Sequence, residues 1–188
     1  QKLMNYIKRQ QKEQYPNLTA EKVLEEYEDY LNMCKACHKN MADEMVYRPR
    51  ELKRRHDEVV ADQQQMQILK ELERNAEGKE AYAQEMREKF PEAEGILKEI
   101  KSRYEYENEE YKIIVPNTLV DIVKEGRALH HCAGSSERYF DRIESRETYI
   151  CFLRRQGAPG IPFYTIEVEP GGTIRQHRSY YDEEPGIE

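Results

Sequence analysis

The spacing of apolar residues changes near Glu110, and this change limits the fold more than any other feature of the chain. Before Glu110, apolar side chains recur every three or four residues, as they do along one face of a helix. From Tyr111 onward, short runs rich in branched and aromatic residues alternate with polar ones, which is typical of strands. The sequence therefore predicts an α+β fold, with an N-terminal helical extension followed by a small, largely antiparallel sheet with helices packed on one face.

The same change predicts two domains, a helical region over residues 1–110 and an α+β domain over residues 111–188. In the first region, helices are predicted over residues 1–14, 19–39, 49–90 with a break near Gly78, and 92–106. In the second region, strands are predicted at residues 111–115, 127–132, 148–154, 162–169 and 173–179. Two helices are predicted between the first three strands, one ending at Gly126 and one over residues 136–144.

Charge, hydropathy and cysteine content limit the classes of protein to which this chain can belong. The net charge is −7, and both regions are acidic, so neither has the basic excess of a protein that grips nucleic acid over its whole surface. Apolar runs are too short for a membrane span, which predicts no membrane partner. Four cysteines without extracellular features favour a cytoplasmic location. No cofactor is expected.

The run GRALHHCAG at residues 126–134 holds the candidate catalytic residues His130, His131 and Cys132 in consecutive positions. We expect it at a strand-to-helix turn, with Ser135 as the helix cap. If residues 127–132 form a strand, alternation sends His130 and Cys132 to one face and His131 to the other.

Arginine supplies every positive side chain after Lys124. Its planar fork binds phosphate or carboxylate with two hydrogen bonds, which indicates specific anion contacts. Alternatively, these arginines pair with nearby surface carboxylates. The candidate ligand-binding residues are Gly134, Ser135, Arg138, Arg154, Arg175, Gln176 and His177.

Three functional interpretations of this run stay open beside a purely structural one. The first is an anion site for a nucleotide or nucleic-acid phosphate, formed by histidines, arginines and the backbone N–H groups of residues 134–137. The second is an enzyme in which Cys132 is the nucleophile and a histidine its base. The third, a zinc site, is the weakest, because the run lacks the paired cysteines of strong zinc motifs, and no metal is predicted.

A second motif, CKACH at residues 34–38, has the spelling of a haem attachment site. It lies on a predicted helix whose apolar face includes Cys34 and Cys37. The sequence therefore predicts core packing rather than haem binding at this motif.

Several segments resemble the PcfJ-like family, whose members are found largely on conjugative plasmids, phages and related bacterial mobile elements. The strongest are LHHCAGS, TYICFLRR and FYTIEVEPGGTIRQHRSYYD, within residues 111–183; DYLNMCKACHKN and RPRELKRRHDEVV resemble the preceding helical region more weakly. The resemblance implies a mobile-element protein with no defined activity and, as partners, a nucleotide or nucleic acid and another mobile-element protein bound through the N-terminal helices. Such proteins usually continue with a further helix, so both ends of this chain are expected to be cuts in a longer protein.

Overall fold

A computed structural model describes residues 1–182 of the chain, which form two compact units, residues 1–67 and residues 68 onward. The helices are α1 Lys2–Gln14, α2 Ala20–Ala36, α3 Glu44–Tyr47, α4 Leu52–Glu73, α5 Ala76–Lys89, α6 Ala93–Tyr104, α7 Leu119–Ala128 and α8 Arg138–Glu144. The strands are β1 Tyr106–Glu107, β2 Tyr111–Ile114, β3 Tyr149–Arg155, β4 Tyr164–Val168 and β5 Ile174–Arg178, and 3₁₀ turns lie at Cys132–Gly134 and Tyr180–Asp182. The part of the predicted second domain beyond residue 182 lies outside the described residues, and the domain boundary near residue 110 stays a prediction.

The first unit is held together by apolar side chains of α1, α2 and the start of α4. Thr19 caps α2 as predicted, its side chain accepting from Lys22 N at 3.3 Å. The start of α4 is capped from α1, because Gln10 Oε1 accepts from Leu52 N at 3.1 Å and Gln10 Nε2 donates to Arg50 O at 3.0 Å. The amide oxygen of this buried glutamine thus satisfies one of the N–H groups that the first turn of α4 leaves unpaired.

The long predicted helix breaks at residues 74–75, near Gly78 as predicted. Asn75 adopts a left-handed backbone (φ 49°), and its side chain accepts from Gly78 N at 3.2 Å, so it begins α5 as a cap. The Lys79 side chain is buried, and its Nζ donates to the carbonyls of Glu71 and Leu72 at the end of α4. Burial lowers the pKa of Lys79.

The second unit contains the sheet, whose strands follow chain order from β1 to β5 and are all antiparallel. Strand β3 lies in the middle and is almost wholly buried. Helices α7 and α8 connect β2 to β3, and both contribute to one apolar core with α5, α6 and the sheet. The predicted α+β class, with N-terminal helices and an antiparallel sheet, is confirmed.

The strand predicted at residues 127–132 is wrong, and with it the expectation that the two histidines point to opposite faces. Helix α7 continues through Gly126 to Ala128, and a 3₁₀ turn follows. The helix continues because Gly126 is a contact point rather than a stop: a Cβ there would lie 2.0 Å from Gly134 N, and a Cβ on Gly134 would lie 2.6 Å from Arg127 N. Two glycines thus let the turn lie backbone to backbone against the helix.

Candidate functional site

His131 and Cys132 lie where the chain leaves α7 and turns back on it. His131 N donates to Gly126 O at 2.9 Å, which fixes the turn against the helix. The His131 ring is buried, and its Nε2 lies 2.9 Å from Thr165 Oγ1 of β4. The turn is therefore attached to the sheet through this imidazole.

Cys132 is exposed and takes part in a chain of hydrogen bonds that ends on the sheet. Its Sγ lies 2.9 Å from the Tyr139 hydroxyl, which accepts from Gln176 Nε2 at 3.0 Å and from Arg138 Nη2 at 3.5 Å. Because those two donors use the lone pairs of the phenol oxygen, the phenol proton is directed to the sulfur. Burial, followed by the hydrogen bond to Cys132, raises the pKa of Tyr139, so this group is a donor near neutral pH.

Glu167 is the buried carboxylate at the base of this chain. It accepts from Thr148 Oγ1 at 2.6 Å, from Arg142 Nη1 at 2.9 Å and from Gln176 Nε2 at 2.7 Å. These donors compensate its charge and hold Gln176 in place, as a buried carboxylate requires.

These groups surround a cleft of about 480 Å³, which we call the thiol cleft. Its lining includes His131, Cys132, Arg138, Tyr139, Ile150, Thr165, Glu167, Gln176 and Arg178. Arg138 stacks over the Tyr139 ring, 5.3 Å from its centroid, and among the described residues it forms no ion pair. In the described part of the chain, the cleft therefore presents a guanidinium without a paired carboxylate beside a polar floor.

A second cleft of about 620 Å³ adjoins the same turn, and we call it the aromatic cleft. His131 and Cys132 line both clefts, and the second also includes Glu71, Arg74, Asn75, Arg127, His130, Ser135 and Tyr181. His130 has a left-handed backbone (φ 58°) and follows the C-cap of α7, a position that commonly ends a helix. Its ring stacks parallel to the Tyr181 ring, with centroids 4.5 Å apart.

Four of the predicted site residues meet in the thiol cleft: His131, Cys132, Arg138 and Gln176. His130 and Ser135 line the aromatic cleft. Gly134 forms the close contact with Gly126.

The remaining three predicted residues lie elsewhere. Arg154 is buried in a bidentate pair with Glu125, at 2.7 and 2.6 Å, and burial raises the pKa of Glu125 to about 7 against the opposing effect of that guanidinium. Arg175 binds Glu147 at 2.7 Å. His177 packs edge-on against Tyr164, on the opposite sheet face from Gln176. Arg175 thus pairs with a surface carboxylate, as the alternative interpretation expected, whereas the partner of Arg154 is buried. Their roles in ligand binding stay predictions.

The cap predicted at Ser135 is also wrong. Helix α8 begins at Arg138, its N-cap residue is Glu137, and no side chain caps it. The N–H groups of Ser135 and Ser136 both donate to Cys132 O, at 3.0 and 2.9 Å. Backbone donors expected to hold an anion are therefore used to close the turn.

Sequence reasoning missed Tyr139, Thr165 and Arg178, whereas Glu167 was named as a candidate companion of the cluster, together with Cys151, Gln176 and His177, because all four lie on neighbouring predicted strands. Tyr139 is buried, and its hydroxyl reaches the site from within the core. Thr165, Glu167 and Arg178 are on strands, where Thr165 pairs with Arg178 and Glu167 with Gln176. Alternation along β4 does place Thr165 and Glu167 on one face, and that pattern was the available indication.

The CKACH motif belongs to the packing of the first unit. Cys34 is fully buried in the apolar cluster, but α2 ends at Ala36, so His38 lies beyond the helix with φ 55°. In residues 1–182, no group of three or more His, Cys, Asp or Glu side chains is placed to hold a metal ion. The helices of this part of the chain are also too short or too polar to cross a membrane.

Comparison with known proteins places the chain in a family. A family model described as PcfJ-like protein matches residues 26–185. A protein of Listeria innocua serovar 6a, described as "Uncharacterized protein Lin1253/Lin1744", is 29% identical over 159 residues, which cover 85% of this chain and 30% of that protein. The match thus spans less than a third of the length of this relative. No solved structure matches the present chain. A match over most of the chain, including the turn and strands that form the thiol cleft, shows that the chain belongs to the PcfJ-like protein family.

Proposed function

We propose that the thiol cleft binds a small anionic ligand of the phosphate class. The observation that carries this proposal is how the charged side chains of the cleft are paired. Within residues 1–182, Glu167 is the one carboxylate that lines the cleft and is already bonded by Arg142, Thr148 and Gln176, whereas Arg138 has no carboxylate partner there. An anion would supply the missing counter-charge, and Arg138 can bind it with two hydrogen bonds.

Ligand binding is better supported than thiolate chemistry, because the Tyr139 hydroxyl that contacts Cys132 is a poor base. A nucleophilic thiol needs a group that removes its proton. The described hydrogen bond of Cys132 Sγ is with Tyr139, whose raised pKa keeps the phenol protonated near neutral pH. The turn thus provides a donor beside the sulfur.

The test is calorimetric titration of the protein with inorganic pyrophosphate. Arg138→Gln should weaken binding at least about tenfold, since a charge-assisted hydrogen bond contributes ~1.5–3 kcal/mol. Arg146→Gln is the matched control, because Arg146 is an exposed arginine paired with Glu99 at 2.7 Å. Binding should also weaken as salt is added. No measurable binding of pyrophosphate, or equal losses in the two arginine variants, would refute the proposal.

The second candidate function is a cysteine-dependent enzyme acting on the same class of ligand. It is favoured by the exposure of Cys132 and by the phenol donor, which stabilises negative charge on sulfur. Cys132→Ser separates the two candidates: pyrophosphate affinity should change less than about threefold if the cleft only binds, because serine keeps the hydrogen bond to Tyr139. Turnover of a phosphate-bearing substrate that disappears in Cys132→Ser would favour the enzyme.

The biological setting follows from the family only as a proposal. A role in mobile elements, a cytoplasmic location and docking of another mobile-element protein on the N-terminal helices all stay predictions.

A further inference from the structure

The two clefts are neighbours that share one wall. His131 and Cys132 line both, so the clefts adjoin at these two residues, and a ligand longer than a phosphate could contact both clefts only by spanning them. Their combined space is large compared with a phosphate group and suits a ligand of several hundred Å³. The chemistry of the second cleft therefore indicates what the rest of such a ligand contains.

One side of the aromatic cleft is a ring platform that the backbone holds in place. Tyr181 N donates to Leu129 O at 2.7 Å, and Tyr181 has a left-handed backbone like His130. The two rings are within 7° of parallel, and Tyr180 meets both edge-on. The Tyr181 ring is nevertheless 62% exposed, so an aromatic surface lies ordered and open at the cleft. A flat base can stack on such a surface.

The other side of the aromatic cleft is positively charged. Arg127 lies 5.6 Å from the centroid of the Tyr82 ring and, within residues 1–182, pairs with no carboxylate. Arg74 is 75% exposed and contacts Glu71 at 3.4 Å. Beneath them Lys79 is buried, and after burial itself the charges of Arg127, Lys124 and Arg74 lower its pKa, opposed by Glu71. Among the residues of 1–182 that line this cleft, two arginines thus stand beside one carboxylate, which favours a ligand with more than one negative charge.

We propose that the aromatic cleft receives the base and sugar of a nucleotide whose phosphates extend into the thiol cleft. This inference rests on the proposed function, because it assumes a phosphate at Arg138. It adds a subsite, in which the base stacks on Tyr181 and the basic side of the cleft contacts a further phosphate. A nucleoside diphosphate and the phosphorylated end of a nucleic-acid strand share this chemistry.

The experiment compares pyrophosphate with ADP by calorimetry. ADP should bind about tenfold more tightly than pyrophosphate, since stacking adds to the affinity of the phosphates. Tyr181→Leu should lower the affinity for ADP by about the same factor and leave that for pyrophosphate unchanged. Tyr181→Phe should retain the affinity for ADP because it keeps the ring. Tyr106→Leu is the matched control, since Tyr106 is 64% exposed on β1 and lines neither cleft.

The outcomes separate this inference from the proposal on which it rests. Equal affinities for ADP and pyrophosphate, with both lost in Arg138→Gln, would overturn the base subsite and leave the anion site standing. An equal loss of both ligands in Tyr181→Leu would also overturn it. If neither ligand binds, both proposals fail. A 5′-phosphorylated tetranucleotide forms a separate arm: tighter binding than ADP identifies a strand end, and weaker binding a free nucleotide.

Discussion

The four cysteines differ in access, and this makes Cys132 chemically distinct. Cys34 and Cys151 are buried, Cys37 is half-buried, and Cys132 is exposed. Burial raises the pKa of Cys151 to about 12, which leaves almost none of it as the reactive thiolate at neutral pH.

We therefore expect iodoacetamide to modify Cys132 first in the folded protein. Cys151 should be modified only after denaturation, because its thiol is both buried and protonated. Peptide mass spectrometry over a time course measures both rates, and Cys132→Ser should remove the fast reaction. Modification of Cys151 at the rate of Cys132 in folded protein would contradict the burial described here.

The buried pair of Glu125 and Arg154 joins α7 to β3. Breaking this buried pair should therefore cost much more stability than breaking an exposed ion pair. Glu125→Gln should cost ~3–5 kcal/mol in the free energy of unfolding, because it leaves the Arg154 charge buried without a partner. Glu99→Gln breaks the exposed pair with Arg146 and should cost less than about 1 kcal/mol. Chemical denaturation of the three proteins measures the difference. Similar losses of unfolding free energy in both variants would contradict the prediction, because they would mean that the Arg154 charge is stabilised without Glu125.

At the scale of elements, the contact between Gly126 and Gly134 positions the turn that carries His131 and Cys132. Gly126→Ala should lower the free energy of unfolding by more than about 2 kcal/mol, because the new methyl group meets backbone atoms that cannot move aside. Gly95→Ala is the matched control in α6, where no atom lies within 4 Å of the added carbon. It should stabilise the protein by ~0.5–1 kcal/mol through helix propensity. Thermal unfolding of both variants measures these changes in stability. Equal changes in Gly126→Ala and Gly95→Ala would refute the close contact between Gly126 and Gly134.

Local pattern predicted the elements that depend on local chemistry. Strands β2 to β5 were predicted within a few residues because alternation and turn residues such as those at 170–172 are local features. The strand at 127–132 was predicted wrongly because the role of Gly126 depends on Gly134, which is a neighbour only in the folded chain.

The candidate site divides in the same way. His131, Cys132, Arg138 and Gln176 were predicted by residue type and do line one cleft. Glu167 was named only as one of several companions from neighbouring strands, and Thr165 was not named, because strand register and the irregularity near Val168 decide which residues face Gln176 and Arg178. Register depends on pairing across the sheet, which one strand's pattern does not contain.

At the scale of the whole molecule, buried tyrosines determine how stability responds to alkali. Burial is the first cause that raises the pKa of Tyr6, Tyr27, Tyr30 and Tyr139, and it raises that of Tyr15 to about 12. An acid whose pKa is higher in the folded state binds more protons there than in the unfolded state. Its contribution is thus constant below the unfolded pKa near 10 and is lost as pH rises above it.

We expect the free energy of unfolding to fall above about pH 10, by ~1.4 kcal/mol per pH unit for each such tyrosine. Urea denaturation across alkaline pH measures this slope. Tyr27→Phe removes one of these titrating groups and should reduce the slope by ~1.4 kcal/mol per pH unit. It also removes the hydrogen bond from Tyr27 to the carbonyl of Tyr47. Tyr106→Phe, at an exposed position, should leave the slope as it is. A stability that stays flat above this pH would contradict the prediction.

The order of the sheet has a consequence for folding kinetics. Each strand pairs with its neighbours in the chain, and only α7 and α8 separate β2 from β3. Contact order is therefore low for a sheet of this size, and low contact order speeds folding because little loop-closure entropy is lost before pairing begins. Every residue that lines the thiol cleft lies within residues 131–178, on or between these elements. The cleft should accordingly appear in the same kinetic phase as the pairing of β3, β4 and β5, without a slower step of its own.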